Sequence, residues 1–392
     1  MRRPSARNRA QFAAASIALS FAAFLLAGCK PHPFPQYPSN YREYAYVTNG
    51  GGNTVTIVDV VNVRVDREIA VGQHPVAVAA SPTRNEVYVV NSGMPDGRGS
   101  VSVIDAEHNS VVATIPVHRD PVSIAVDHLG KVAYVANTGS NSVSVIDLAE
   151  RREVATLGAG ERPDAAAISP DDKTLVVANG GGNSVSIFDA RSGTLRAVFS
   201  GCPGAGQPVI LPDSSKTFVP CPNGHRVMVV ELAGSAGASD APDRLETLMD
   251  VGHAPVNLAL KPDGGELFVS NAGSDTISEV VTTTDDVGGA YMMGDEPVQG
   301  LVSNDNSLLY VANRRSQYIT IYSIDDGRRI GSVHVGDGPA AMAFSANGYL
   351  LFAVDERSDD VAVVRTALRS LFTLLPAGHD PNAIVDKAFT VR

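Results

Sequence analysis

The side chains best suited to chemistry recur just before prolines that follow one another along the chain at nearly constant spacing. They are His74, His118, Arg119, Arg162, His253 and His379. Imidazole nitrogens bind zinc, copper and iron and titrate near neutral pH, and guanidinium groups bind anions. These residues are therefore candidates for a transition-metal site, a proton-transfer site or an anion site. The interpretation we favour is a set of solvated loop positions, because they belong to repeats spread along the whole chain.

The N-terminus has the composition of an export signal. Four arginines within the first nine residues precede an apolar run that is shorter than the roughly 20 residues of a membrane span. The run ends at 26–29 in Leu-Ala-Gly-Cys, which resembles the lipobox of bacterial lipoproteins. That resemblance implies cleavage before Cys29, a lipid on its thiol and, with Lys30 following, the outer membrane. We expect a signal peptide over 1–28 and a proline-rich tether over 29–43.

Lipidation of one cysteine leaves an even pair, Cys202 and Cys221, in an oxidising compartment. Cys202 follows the last strand of a repeat, and Cys221 ends an adjoining strand. Both should therefore lie at the same end of one sheet. We predict a disulfide that closes a loop of about 20 residues and contributes about 3 kcal/mol. Two free thiols are the alternative.

The chain is built from a repeat of 42 to 47 residues. Each repeat has four short segments with alternating hydrophobicity, the pattern of half-buried strands. One segment commonly ends in Asn, the next in Asp, and the last runs to a Gly before a Pro. Four strands with tight turns are one blade of a β-propeller. The repeated prolines are Pro75, Pro121, Pro163, Pro208, Pro255, Pro297, Pro339 and Pro381.

We name the strand after each proline A and the next three B, C and D. Eight prolines predict eight blades, with seven as the alternative. The chain opens with B, C and D and closes with a lone A strand after Pro381, so that strand should complete the first blade and leave no open edge. The D–A and B–C loops then share one face, and the candidate histidines and arginines lie on its rim.

The B strands carry a recognisable signature. The sequences at 46–49, 88–91, 134–137 and 310–313 read Tyr-Val-Thr-Asn, Tyr-Val-Val-Asn, Tyr-Val-Ala-Asn and Tyr-Val-Ala-Asn. Over residues 44–392 the chain therefore resembles the YVTN repeat family of β-propellers. The resemblance implies the fold strongly and the function weakly. Some members are similar to lactonases or to the haem-binding propeller of nitrite reductase.

Several polar positions have structural interpretations. The Asn that ends a B strand and the Asp that ends a C strand are expected to bond nearby backbone in turns. The runs Gly50-Gly51-Gly52 and Gly180-Gly181-Gly182 are expected to be B–C turns, since no helix follows to make a phosphate loop. Arg314 and Arg315 could extend an anion site around Arg119 and Arg162.

Charge and missing motifs narrow the function. The net charge of −11 becomes −15 when the four signal-peptide arginines are removed, which disfavours nucleic acid as a partner. We assign no catalytic residue and no cofactor. We expect a monomeric, lipid-anchored binding module of the cell envelope that takes a protein or small-molecule ligand. The alternative is a lactonase-like enzyme, or a metal- or haem-binding propeller.

Overall fold

The computed structural model describes residues 34–93, 97–234 and 241–391. The chain divides into two units, 1–39 and 40–392. The predicted signal peptide and Cys29 lie outside the described residues. No helix among the described residues is long and apolar enough to cross a membrane.

The second unit is a β-propeller of eight antiparallel four-stranded blades, which confirms the predicted count. The first four blades contain, in the order A to D, β32 (Pro381–Thr390), β1 (Tyr41–Asn49), β2 (Thr54–Asp59) and β3 (Arg64–Ala70); β4 (Pro75–Ala80), β5 (Glu86–Asn91), β6 (Arg98–Asp105) and β7 (Ser110–Arg119); β8 (Pro121–Val126), β9 (Val132–Asn137), β10 (Ser142–Asp147) and β11 (Arg152–Gly158); and β12 (Pro163–Ile168), β13 (Thr174–Asn179), β14 (Ser184–Asp189) and β15 (Leu195–Ser200).

The remaining blades, 5 to 8, have the same order. They contain β16 (Val209–Ile210), β17 (Lys216–Cys221), β18 (Arg226–Glu231) and β19 (Arg244–Asp250); β20 (Pro255–Leu260), β21 (Glu266–Asn271), β22 (Thr276–Val281) and β23 (Asp286–Met292); β24 (Pro297–Val302), β25 (Leu308–Asn313), β26 (Tyr318–Ser323) and β27 (Arg328–His334); and β28 (Pro339–Phe344), β29 (Leu350–Asp355), β30 (Asp360–Arg365) and β31 (Ser370–Pro376). Two 3₁₀ turns, Thr138–Ser140 and Pro222–Gly224, lie in B–C loops.

The ring is closed by its two ends, as the sequence predicts. Strand β32 pairs antiparallel with β1, from Tyr41 opposite Thr390 to Asn49 opposite Pro381. Blade 1 is thus completed by the C-terminal strand, and the ring has no gap that would expose an unpaired inner strand.

Apolar cores lie between neighbouring blades. The B and C strands are buried on both faces because each blade is covered by the next, and residues such as Tyr46, Tyr88 and Phe268 are at most 1% exposed. The D strands form the partly exposed outer wall. The D–A and B–C loops lie together on one face, which we call the proline face, and the A–B and C–D loops lie on the opposite face.

Candidate functional site

The loops of the proline face are tied to one another by a repeated bridge. In seven of the eight D–A loops the residue before the proline has a positive φ, near 50° at His74, Arg162 and Ala254. Its carbonyl accepts a backbone N–H from the B–C loop of the following blade, as Gly180 donates to Arg162 at 2.9 Å. In five loops its own N–H donates to a side chain in the B–C loop of the preceding blade. The face is therefore a rigid ring of linked loops.

His225 is explained by this bridge. The acceptor in the other bridges is an Asn or Asp side chain, such as Asn53 or Asp275. In blade 5 the acceptor is the Nδ1 atom of His225, 3.2 Å from the backbone nitrogen of Ala254. His225 therefore takes the place that an Asn or Asp side chain holds in the other four bridges.

The asparagines that end the B strands are buried parts of the scaffold. They close extended strands, whereas the sequence interpretation placed them in turns. The Nδ2 atom of Asn179 donates to the hydroxyls of Ser184 and Ser186 on the C strand, and Gly160 N–H donates to its Oδ1 at 3.0 Å. A Cβ on Gly160 would lie 2.7 Å from this amide. The glycine three residues before the proline is therefore required by a close approach.

Blade 5 replaces this contact with a covalent one. Cys221 ends its B strand, where six other blades have Asn, and Cys202 lies in its D–A loop. The two form a disulfide with Cα atoms 4.8 Å apart, which confirms the predicted pair. The bond fastens a D–A loop that is longer than the others and has only a two-residue A strand after it.

Blade 8 replaces the asparagine with a carboxyl group. Asp355 has no exposed surface and accepts the N–H of Gly336 at 2.9 Å, and the carboxyl of Asp360 lies beside it. Burial and the neighbouring carboxyl raise the pKa of Asp355 to about 8. Asp355 is therefore protonated over a wider pH range than an exposed carboxyl group.

The candidate histidines lie on the proline face but have separate partners. The Nδ1 atom of His74 is 2.8 Å from the hydroxyl of Ser92, and the Nε2 atom of His118 is 3.2 Å from a carboxylate oxygen of Glu153. The ring of His253 stacks on the ring of His225, with centroids 4.6 Å apart. His379 contacts Asp359 at 3.2 Å. Within the described ranges no three His, Cys, Asp or Glu side chains are placed to hold a metal ion, so the transition-metal interpretation gains no geometric support.

Most arginines of the proline face are neutralised. Arg314 forms a two-point ion pair with Glu356 at 2.6 to 2.9 Å. Arg315 pairs with Glu296 at 2.7 Å. Because their charges are matched, these two do not extend an anion site around Arg119 and Arg162.

Three arginines differ from this pattern, and we call them the arginine site: Arg98, Arg119 and Arg162. Arg98 and Arg119 lie directly opposite each other on β6 and β7, an arrangement of like charges that is unfavourable without an anion. Arg119 donates from Nη2 to the carbonyl of Gly139 at 2.9 Å, and neither residue forms an ion pair with a described carboxylate. Arg162 is 3.9 Å from its nearest carboxylate, Asp164. All three are exposed.

One B–C loop connects two of these arginines. The hydroxyl of Ser140 accepts the backbone N–H of Arg119, and the Oδ1 atom of Asn141 accepts that of Arg162. The turn Thr138–Ser140 therefore lies between the two residues and fixes both backbones. The arginine site thus spans the loops of blades 2 to 4 on the proline face. Hydrogen bonds to the B–C loop of blade 3 hold the backbones of Arg119 and Arg162 in place.

Asp164 adds an acid to this site. Its Oδ1 accepts from the hydroxyl of Thr138 at 3.4 Å, and burial raises its pKa even though Arg162 and Thr138 oppose that effect. Asp164 follows Pro163 and is not among the site residues that the sequence predicts, which lie before the prolines or in B–C loops. Arg98, whose B–C loop is longer than the others, is also not among them.

The chain matches the family model described as lactonase, 7-bladed β-propeller, over residues 48–327 and 300–370. The uncharacterized protein YncE of Salmonella typhi is 37% identical over 92 residues, which are 24% of this chain and 25% of that protein. The aligned part is thus only a quarter of the length of this relative.

Solved structures show the same fold at low identity. Dihydro-heme d1 dehydrogenase NirN, in complex with DHE, superposes with a TM-score of 0.72 and 17% identity over 92% of this chain and 78% of that chain. A putative 6-phosphogluconolactonase from Bacteroides uniformis gives a TM-score of 0.62 and 16% identity over 89% of this chain and all of that chain. These identities support the fold alone. From the family match, the chain belongs to the lactonase, 7-bladed β-propeller family, although its own ring has eight blades.

Proposed function

We propose that this protein is an exported, lipid-anchored binding module and that the arginine site holds an anionic group of its ligand. The observation that carries the proposal is the position of Arg98 opposite Arg119, with neither residue in an ion pair with a described carboxylate. In a chain with a net charge of −11, most other arginines of the same face have acidic partners. A carboxylate or phosphate between the two guanidinium groups would relieve their repulsion and accept several hydrogen bonds.

The binding role is tested by titrating the protein, without residues 1–28, with citrate and with inorganic phosphate in a calorimeter at low salt. We expect saturable binding that weakens as salt is added, because exposed charges are screened. The double variant Arg98→Gln, Arg119→Gln should lose most of the affinity. Arg315→Gln is the matched control, since it removes a paired arginine from the same face. Equal affinity in the double variant and the control would reject the arginine site.

Export and anchoring are proposed from the signal sequence. Cells that express the full chain should incorporate labelled palmitate into it, and the Cys29→Ala variant should remain unlabelled. A variant that is still labelled, or a wild-type chain that is not, would contradict the lipid anchor. A monomer by light scattering would fit the proposed binding module.

A second candidate function is lactone hydrolysis at the arginine site. The observation that favours it is the raised pKa of Asp164. A carboxyl group with a raised pKa beside Arg162 is suited to transfer a proton while the arginine site holds an anionic substrate. Lactone hydrolysis can be followed by acid release at constant pH. A rate above the uncatalysed rate that Asp164→Asn abolishes would establish this candidate. No acceleration would leave the binding role alone.

A further inference from the structure

A large cavity opens on the opposite face, at the boundary between blades 3 and 4. Its volume is about 730 Å³, and it is lined by the A–B turns of both blades, the D strand of blade 3 and the C–D turn of blade 4. Tyr134 forms part of its wall, with its hydroxyl donating to the carbonyl of Ala190 at 3.0 Å. The cavity is remote from the arginine site, because the two lie on different faces of the ring.

Comparison with other blade boundaries explains why there is space here. Where blade 2 meets blade 3, Glu86 at the start of the B strand pairs with Arg151 of the next C–D turn at 2.9 Å. Where blade 5 meets blade 6, Lys216 pairs in the same way with Asp285 at 3.1 Å. The equivalent residues at the blade 3 and 4 boundary are Val132 and Gly193. The charged pair present at these two boundaries is thus replaced by a short apolar side chain and a hydrogen atom.

The lining is mainly apolar. It includes Val132, Val145, Leu157 and Ala190, with Leu129 and Val154 at the mouth. Leu129 is 57% exposed and Val154 46% exposed, so large apolar surface is in contact with water. Pockets of 300 to 1,000 Å³ with an apolar lining and a few polar groups are typical of small-molecule sites.

The cavity lining holds three acids, which have partners within the chain, and two cations, which form no ion pair with a described residue. The acids there are already engaged: Asp171 with Lys173 at 3.2 Å, Asp172 with His128 at 2.9 Å, and Asp127 with two backbone N–H groups of its own turn. The side chains of Lys131 and Arg191 also line the cavity, and neither forms an ion pair with a described residue. An acidic protein thus presents two unmatched cations beside an apolar hollow.

We propose that this cavity, which we call the blade 3/4 pocket, binds a small amphipathic anion. The apolar body of the ligand lies against Val132, Leu157 and Val154, and its carboxylate or sulfonate meets Lys131 and Arg191. The site is independent of the arginine site and of the function proposed for it.

The probe for the test is 1-anilinonaphthalene-8-sulfonate, an apolar aromatic anion whose emission rises in an apolar site. The neutral analogue N-phenyl-1-naphthylamine has a similar aromatic body without the charge. The chain has no Trp whose emission would interfere. We expect the folded protein to bind one equivalent of the anionic probe, with lower affinity for the neutral one.

The decisive variant, Val132→Glu with Gly193→Arg, rebuilds the pair that fills the neighbouring boundary. Arginine is tolerated there because Arg151 has a φ of 51° at the equivalent position, and a Cβ on Gly193 would meet only the flexible end of Leu157. Affinity for the anionic probe should fall at least about tenfold, with the melting temperature nearly unchanged. Unchanged affinity in this variant, or no binding by the wild type, would overturn the proposal.

A second variant tests the charge and does not alter packing. Lys131→Gln with Arg191→Gln should weaken binding of the anionic probe about twofold to thirtyfold, the combined range of two exposed ion pairs, and leave binding of the neutral probe unaffected. Arg64→Gln with Arg67→Gln removes two exposed arginines from blade 1 and serves as the matched control. Equal losses in both double variants would show general electrostatic attraction and reject an anion subsite in the pocket.

Discussion

Replacement of Asp355 by Asn should stabilise the protein at neutral pH and have little effect in acid. The asparagine would restore the side chain that ends the B strand in six other blades. Its Oδ1 can accept the N–H of Gly336, and its Nδ2 can donate to Asp360, as asparagines of other blades donate to Ser or Thr. The hydrogen bonds are therefore kept, and the buried ionisable group is removed.

The magnitude follows from proton linkage. Asp355 has a pKa of about 8 in the folded protein and 3.8 as its ordinary value. Between these values the folded state binds a proton that the unfolded state has lost, so the free energy of unfolding falls as the pH rises. The slope is about 1.4 kcal/mol per pH unit. The advantage of the Asn variant should thus be near zero at pH 4 and grow to an upper bound of about 4 kcal/mol at pH 7.

The assay is urea unfolding of both proteins from pH 4 to pH 8, with calorimetry at each pH. Burial and the nearby Glu43 raise the pKa of Asp386 to about 9. Asp386 therefore gives a slope of the same sign in both proteins, so only the difference between their stability curves is diagnostic. Asn137→Asp in blade 3 is the reverse control and should acquire the pH dependence. Parallel stability curves for the wild type and the Asp355→Asn variant would refute the reasoning.

Three further perturbations test the scaffold of the proline face, each by the free energy of unfolding. Replacing both Cys202 and Cys221 by Ser should lower the free energy of unfolding by about 3 kcal/mol. This difference should vanish when the wild type is reduced, and a difference that persists would contradict a stabilising role of the disulfide. Gly160→Ala should cost about 1–3 kcal/mol because the new methyl group meets a buried asparagine. Gly158→Ala, where an added Cβ meets nothing within 4 Å, should change stability by less than about 0.5 kcal/mol. His225→Ala should lose the bridge and lower the free energy of unfolding by about 1 kcal/mol, whereas His225→Asn should preserve it. Equal losses of stability in the two variants would contradict the acceptor role of His225.

The architecture was predictable because it repeats. Eight prolines at nearly constant spacing predict eight blades, and a lone A strand after Pro381 predicts the closure that β32 and β1 make. The disulfide was predictable by counting, since Cys202 and Cys221 are the pair left once Cys29 is assigned to the lipobox-like sequence. An ambiguous strand in one repeat can be assigned from the equivalent strands of the other repeats, so the repeat predicts the strand order of the whole ring.

The candidate site was less predictable because it depends on contacts between blades. The sequence places four histidines on the proline face, but their spacing could not show that each has its own partner, as His74 has Ser92. Arg98 follows a B–C loop of unusual length, and only the pairing of β6 with β7 places it opposite Arg119. Residue type indicates which chemistry is available, and strand register decides which residues meet.

The eight blades also provide an internal comparison that separates scaffold from site. A position occupied by the same residue type in most blades serves the fold, as the buried asparagines and their glycines do. Function is more plausible where one blade departs from the others without a structural gain. Cys221 and Asp355 depart but keep a partner at the same place. Arg98 opposite Arg119 leaves charge unmatched, and Val132 with Gly193 leave open the space that a charged pair occupies at two other blade boundaries, which is why the two proposed sites are placed there.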